Sequence, residues 1–115
     1  MGYVDGFVAA VPTAKKEEFR SHSAAMAELF KEYGALSVVD CWGHEVPDGE
    51  VTSFPLAVKC QPDETVVFSW ITWPSHEARA AAWEKLREDP RMMAGDMPFD
   101  GKRLIYGGFE PVVDA

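Results

Sequence analysis

Five side chains in this chain could move protons or hold charge and fall on stretches that read as strands: Asp5, Asp40, His44, Arg103 and Tyr106. Side chains alternate across a strand, so Leu36, Val38, Asp40, Trp42 and His44 share one face. A carboxylate on a face otherwise apolar must be paired, or it titrates upward. Arg103 is a natural partner. One reading makes Asp40 and Arg103 a general base or ligand anchor, with His44 handling protons beside them. The other makes them a buried ion pair that orders a subunit interface. Arg103 and Tyr106 fall on opposite faces of the last strand unless nearby glycines introduce a bulge. Of the three histidines, His44, after Gly43 near a strand end, is best placed for chemistry. His22 sits on the apolar stripe of a helix, where a packed core residue is expected. His76 starts a second helix and reads as solvated.

Glycines mark a second feature. Gly6 falls mid-strand near the N-terminus, and Gly107-Gly108 mid-strand near the C-terminus, on strands expected to be neighbours. Glycine weakens a strand, so adjacent glycines point to a hollow or a close backbone approach. A functional reading is a pocket floor, with Asp5, Trp42, Trp70 and Tyr106 as ligand contacts around Gly6 and Gly107. A structural reading is room for a large ring, such as Trp42, Trp70 or Trp83, or a bulge. Met92, Met93 and Met97 either line an adaptable apolar mouth or seal the end of the sheet.

Other chemistries find little support. No HxxxH, HxH or CxxC spacing is present, so no metal site is expected. A nucleophile elbow of GxSxG type is missing, and no motif calls for a bound cofactor. Cys41 and Cys60 lack metal-type spacing and read as reduced, buried small hydrophobes.

Elements that would position these residues follow in the order strand, helix, strand, strand, helix, strand. A first strand over Tyr3 to Val11 stops at Pro12, and Thr13 is a plausible N-cap for a helix over 14–33 closed by Gly34. Phe19, Met26, Leu29, Phe30 and Tyr33 form its apolar stripe. A second strand over 35–46 ends at the Pro47-Asp48-Gly49 turn. Residues 54–60 suggest a short irregular helix. The third strand is Glu64 to Trp73. Ser75 caps a second helix with Ala78, Ala81, Ala82 and Leu86 inward, stopped at Asp89-Pro90. A Met-rich connection and the Asp100-Gly101 turn lead to a last strand over 102–113. This order predicts an α+β, ferredoxin-like βαββαβ domain, with a four-stranded antiparallel sheet and two helices on one face.

Bulk properties bound the function. With 115 residues and 47% hydrophobic content, one core and one domain spanning residues 1–115 are expected. No apolar run approaches the roughly 20 residues needed to cross a bilayer, and the start MGYVDG lacks a signal-peptide pattern. A cytoplasmic protein is expected, with no membrane partner. Nineteen acidic residues against eleven basic give a net charge of -8, which repels a phosphate backbone. Nucleic acid is not an expected partner.

The stretch Glu64 to Trp73 is apolar on both sides. Val66, Phe68 and Trp70 point one way, and Val67, Ile71 and Trp73 the other. A sheet with one face in water would alternate with polar residues here. Two helices cover one face; the other needs a partner, and a second copy is the simplest. Four strands of about ten residues, at about 3.3 Å per residue and about 4.8 Å apart, make a face of roughly 600 Å². That is near the upper limit for a monomer and close to the roughly 800 Å² per partner of a standard interface. A homodimer is therefore expected.

Several motifs carry a family resemblance: YVDGF at 3–7, FKEYGAL at 30–36, VVDCWG at 38–43, VPDGEVTSFPLAVK at 46–59, ETVVFSW at 64–70 and MPFDGKRLIYGGFEP at 97–111. Together they resemble the bacterial YbaA-like family, domain of unknown function 1428, across nearly the whole chain. The resemblance implies a small dimeric α/β barrel. It brings no established activity and no catalytic residues. The wider barrel group includes cofactor-independent monooxygenases, isomerases, haem-handling enzymes and non-catalytic stress proteins. Two classes of function remain. In one, the barrel binds a small apolar or aromatic molecule and transforms it in the manner of a cofactor-independent monooxygenase or isomerase. In the other, it is a non-catalytic stress-related or regulatory dimer with a filled interior.

Overall fold

A computed structural model of the chain describes residues 2–93 and 97–115. Four strands, β1 (Tyr3–Pro12), β2 (Ser37–Trp42), β3 (Glu64–Trp73) and β4 (Ile105–Phe109), form one antiparallel sheet in the order β2-β3-β1-β4. The helices are α1 (Lys16–Glu32), the single turn α2 (Phe54–Ala57) and α3 (His76–Leu86). This is the ferredoxin-like arrangement that the element order predicts.

Register settles which face is which. Asp5 pairs with Ile71, Phe7 with Ser69, Ala9 with Val67, and Asp40 with Ser69 on the other side. Odd residues of β1 and β3 and even residues of β2 therefore face α1 and α3. The core on that side gathers Ile71, Trp73, Ala82, Leu86, Leu29 and Ala35, with a second cluster around Ala9, Val11, Phe19 and Val67. Phe19 and Leu29 are buried on α1, and Met26, Phe30 and Tyr33 are partly buried, as the stripe predicts. On α3 the inward residues are Ala82 and Leu86.

The opposite face carries Val4, Gly6, Val8, Val66, Phe68, Trp70 and, on β4, Ile105, Gly107 and Phe109. It is not bare throughout. The 43–63 connection folds over one end, where Val58 (1% exposed) packs with Ala10 and Val66, joined by Val46, Val8 and Cys60. The Phe54 ring reaches Phe68 edge-on at 5.7 Å, and Phe68 lies 5.7 Å from Trp70. The chain thus covers with its own loop part of a surface that face-counting assigns wholly to a partner. Phe68, Ile105 and Phe109 stay 43–60% exposed.

Element ends differ from expectation where a cap or a turn takes over. Thr13 does not cap α1: its hydroxyl bonds the Thr65 hydroxyl, and a 3-10 turn (Thr13–Lys15) leads into the helix. Ser75 does cap α3, accepting from the Ala78 N–H, and Ser53 caps α2 through Leu56. The second strand stops at Trp42, four residues short. There Gly43 donates its N–H to the Val66 carbonyl, and a side chain at Gly43 would collide with that carbonyl. The last strand is limited to Ile105–Phe109, because Asp100 turns the preceding chain back.

Candidate functional site

Between the helices and the sheet lies a cavity of about 230 Å³. Helix α1 presents Phe19, His22, Ser23, Met26 and Phe30 at the spacing of one helical face. Floor residues come from the sheet: Phe7 and Ala9 on β1, Val67, Ser69, Trp70 and Ile71 on β3, Val38 and Asp40 on β2. Trp83 of α3 and the residues Met92, Met97, Phe99 and Leu104 complete the wall. The lining is apolar and aromatic, with four polar side chains: His22, Ser23, Asp40 and Ser69. Ser69 is buried, and the His22 ring meets Phe99 edge-on at 6.1 Å. A groove between α1 and β2, lined by Lys16, Arg20, Ser23, Asp40 and Trp42, adjoins the cavity. Here Lys16 sits 5.5 Å from the centre of the Trp42 ring.

Behind the cavity wall is a buried charge. Asp5, 2% exposed, accepts the indole N–H of Trp73 at 2.9 Å and that of Trp83 at 2.8 Å. The Arg79 guanidinium closes the set, with Nη2 on Oδ1 at 2.8 Å and Nε at 3.1 and 3.2 Å from the two oxygens. The same carboxylate holds Arg79 protonated above the usual arginine range. Every acceptor site of this carboxylate is thus served by a donor, which is what allows a charge in the core. Asp5 does not itself line the cavity, but Trp83, whose N–H it holds, does.

The other residues singled out in the sequence are dispersed. Asp40 lines the cavity but is exposed, and among the described residues no side chain is hydrogen-bonded or ion-paired to it. Arg103 does not pair with Asp40: it lies before β4 begins and forks onto Glu64 at 2.7 and 2.8 Å. His44 is exposed, and since β2 has already ended, strand parity does not carry it to the side of Asp40. The trio His44, Asp40 and Arg103 is not assembled. Tyr106 is 74% exposed on the edge strand, in register with Phe7.

Gly6 and Gly107 do face each other across β1 and β4. They floor a hollow of about 540 Å³ on the face away from the helices, with Val8, Phe68, Trp70, Ile105 and Phe109 around it. The ring they make room for is Phe109, not a tryptophan: a Cβ on Gly6 would sit 3.3 Å from it and one on Gly107 3.5 Å. Gly108 admits the Tyr3 hydroxyl instead. Met92 and Met97 line the cavity, while the side chain of Met93 lies outside the described residues. His22 reaches the cavity although a packed core role was the expectation for it. Its position between Phe19 and Met26 was legible as a stripe; that the stripe borders a hollow was not. Among the described residues no three His, Cys, Asp or Glu side chains converge as metal ligands, and no helix is long and apolar enough to cross a membrane.

The sheet order and helix placement match a fold already seen in a solved structure. The chain superposes on a crystal structure of SnoaB, a cofactor-independent oxygenase from Streptomyces nogalater, with a TM-score of 0.55 over 98% of this chain and 93% of that one. At 18% identity the likeness is one of fold. Closer relatives are found by sequence. The uncharacterized protein YbaA of Escherichia coli K12 is 58% identical over 116 residues, covering 99% of each chain, and YbaA of Shigella flexneri matches equally. The model of the protein family of unknown function DUF1428 matches residues 2–101, so the chain belongs to the DUF1428 family.

Proposed function

We propose that the protein binds a small apolar or aromatic molecule in the cavity between α1, α3 and the sheet. The cavity itself carries this reading: about 230 Å³ of half-open, largely apolar space between the helices and the sheet is more than a filled core leaves. It is smaller than the roughly 300–1,000 Å³ of drug-sized sites, so the ligand is on the scale of one or two rings. His22 and Asp40 are the lining groups able to take or return a proton, and Ser23 and Ser69 can fix an oxygen substituent. The chemistry within their reach is proton transfer on an acidic C–H or O–H of the bound molecule. Such a step is common to isomerases and to oxygenases of the cofactor-independent kind, of which SnoaB, with the same fold, is one. The alternative, a non-catalytic dimer with a filled interior, has the cavity against it.

The protein acts as a homodimer in this reading, joined through the open sheet face around Phe68, Trp70, Ile105 and Phe109. Its two cysteines are free, which suits a reducing, cytoplasmic setting.

Quenching of tryptophan emission by 2-naphthol, with native mass spectrometry of the purified protein for a retained molecule, tests the site. Ser69→Leu puts an apolar side chain into the hollow from its floor and is expected to weaken 2-naphthol binding at least tenfold while the circular dichroism is kept. Binding that ignores Ser69→Leu, or no saturable binding in the wild type, overturns the assignment of the cavity.

A further inference from the structure

We infer that the cavity selects planar aromatic ligands, and that Asp5 is the positioning residue that makes it do so, by holding the Trp83 indole as a fixed wall. This rests on the ligand reading of the cavity. Trp83 is only partly buried on α3 and stands beside Phe30, with ring centres 5.5 Å apart and planes tilted by 57°. An indole in that place has one polar atom, and its N–H is tied to Asp5 at 2.8 Å. Asp5 in turn cannot shift, because Trp73 and Arg79 hold the same two oxygens and Trp73 is wholly buried. Arg79 is itself seated, 5.6 Å from the centre of the Tyr3 ring. The chain of contacts runs from the sheet through one carboxylate to one cavity wall. A wall of fixed plane rewards a flat ring that can lie along it or meet it edge-on, and gives a puckered ring of equal size only its surface burial.

Asparagine at position 5 would keep the size of the side chain but offer one acceptor oxygen and an NH₂ that confronts an N–H donor. One of the two indoles or the guanidinium would then lose its partner. Trp83, the least buried of the two indoles, is the one free to move.

The experiment compares 2-naphthol with decahydro-2-naphthol by isothermal titration calorimetry. In the wild type the aromatic compound is expected to bind about three- to tenfold more tightly than its saturated counterpart, the range for an aromatic pair beyond plain burial. In Asp5→Asn that ratio should fall towards one. Because loss of the buried charge can unfold the chain, Trp83→Phe is measured as well. It keeps a ring but has no N–H for Asp5, and its ratio should fall in the same way. Equal binding of the two compounds to the wild type, or a ratio unchanged in Trp83→Phe and in folded Asp5→Asn, overturns the inference while leaving the cavity a ligand site. Failure of both compounds to bind the wild type overturns the ligand reading, and this inference with it.

Discussion

Arg103 forks onto both oxygens of Glu64 and also reaches the Lys59 carbonyl and the Asp100 carboxylate, so one side chain ties β3, the 43–63 connection and the approach to β4 together. The hydrogen bonds from Arg103 come first among the causes that depress the Glu64 carboxyl from 4.5 to about 2. A carboxyl with a folded value below its unfolded one lends stability above pH 4.5, and that stability is lost as the pH falls from there through about 2. Asp89, held low by Arg91 and the Tyr33 hydroxyl, and Asp100 act in the same sense. The difference between wild type and Glu64→Gln therefore isolates Glu64. Urea midpoints should differ at pH 7 by the equivalent of about 1–2 kcal/mol, and the two proteins should converge between pH 4.5 and 2. A gap constant across that window would mean that Glu64 is not held ionised by Arg103. Pairing at this scale was the least legible in the sequence. Strand parity put Asp40 on a cavity-lining face correctly, but misplaced Arg103, which precedes its strand, answers to a turn and pairs with Glu64 rather than Asp40. Asp5, read as a ligand contact, proved to be the anchor of two tryptophans 68 and 78 residues away in sequence. No local pattern encodes a contact of that range.

Elements were far more legible, because each announces itself by period and punctuation. The ten residues of β3 were delimited by their own apolar run, and element order made the first and last strands neighbours, where the register sets Gly6 opposite Gly107. Caps show where such reading succeeds and fails. Ser75 precedes α3 directly and accepts from the Ala78 N–H at 3.0 Å, whereas Thr13 is drawn off by Thr65 across the sheet at 2.7 Å. The two hydroxyls look alike in sequence and differ in tertiary company. Ser75→Ala should cost about 1 kcal/mol, a drop of roughly 4–6 °C in Tm for a domain of this size. Amide exchange should rise first at Ala78 and in the adjoining turn of α3. Exchange that rises uniformly over the domain would show that the start of α3 has no separate opening of its own.

At the scale of the whole molecule, the apolar face that the sequence assigned to a second copy is smaller than counted. The 43–63 connection hides one end of the open face under Val58, which the sequence could not show because a short irregular helix over 54–60 does not say which surface it packs on. What remains is concentrated in Phe68 at 43%, Ile105 at 44% and Phe109 at 60% exposure, extended by Phe54 at 50% on the loop. At about 25 cal/mol per Å², each such side chain covered by a partner is worth on the order of 1 kcal/mol or more before association costs. A row of them facing its symmetry mate counts every contact twice. Phe68 sits at the middle of this row, touching both Phe54 and Trp70. A carboxylate there would bring two like charges together at the centre of the interface. The wild type is therefore expected to sediment as a dimer at micromolar concentration, and Phe68→Asp as a monomer that keeps its secondary structure. Since Phe68 lies on the face away from the cavity, the monomeric variant should still bind 2-naphthol. A wild type that sediments as a folded monomer would leave the open face without the partner its exposure demands, and would confine the function to the cavity of a single chain.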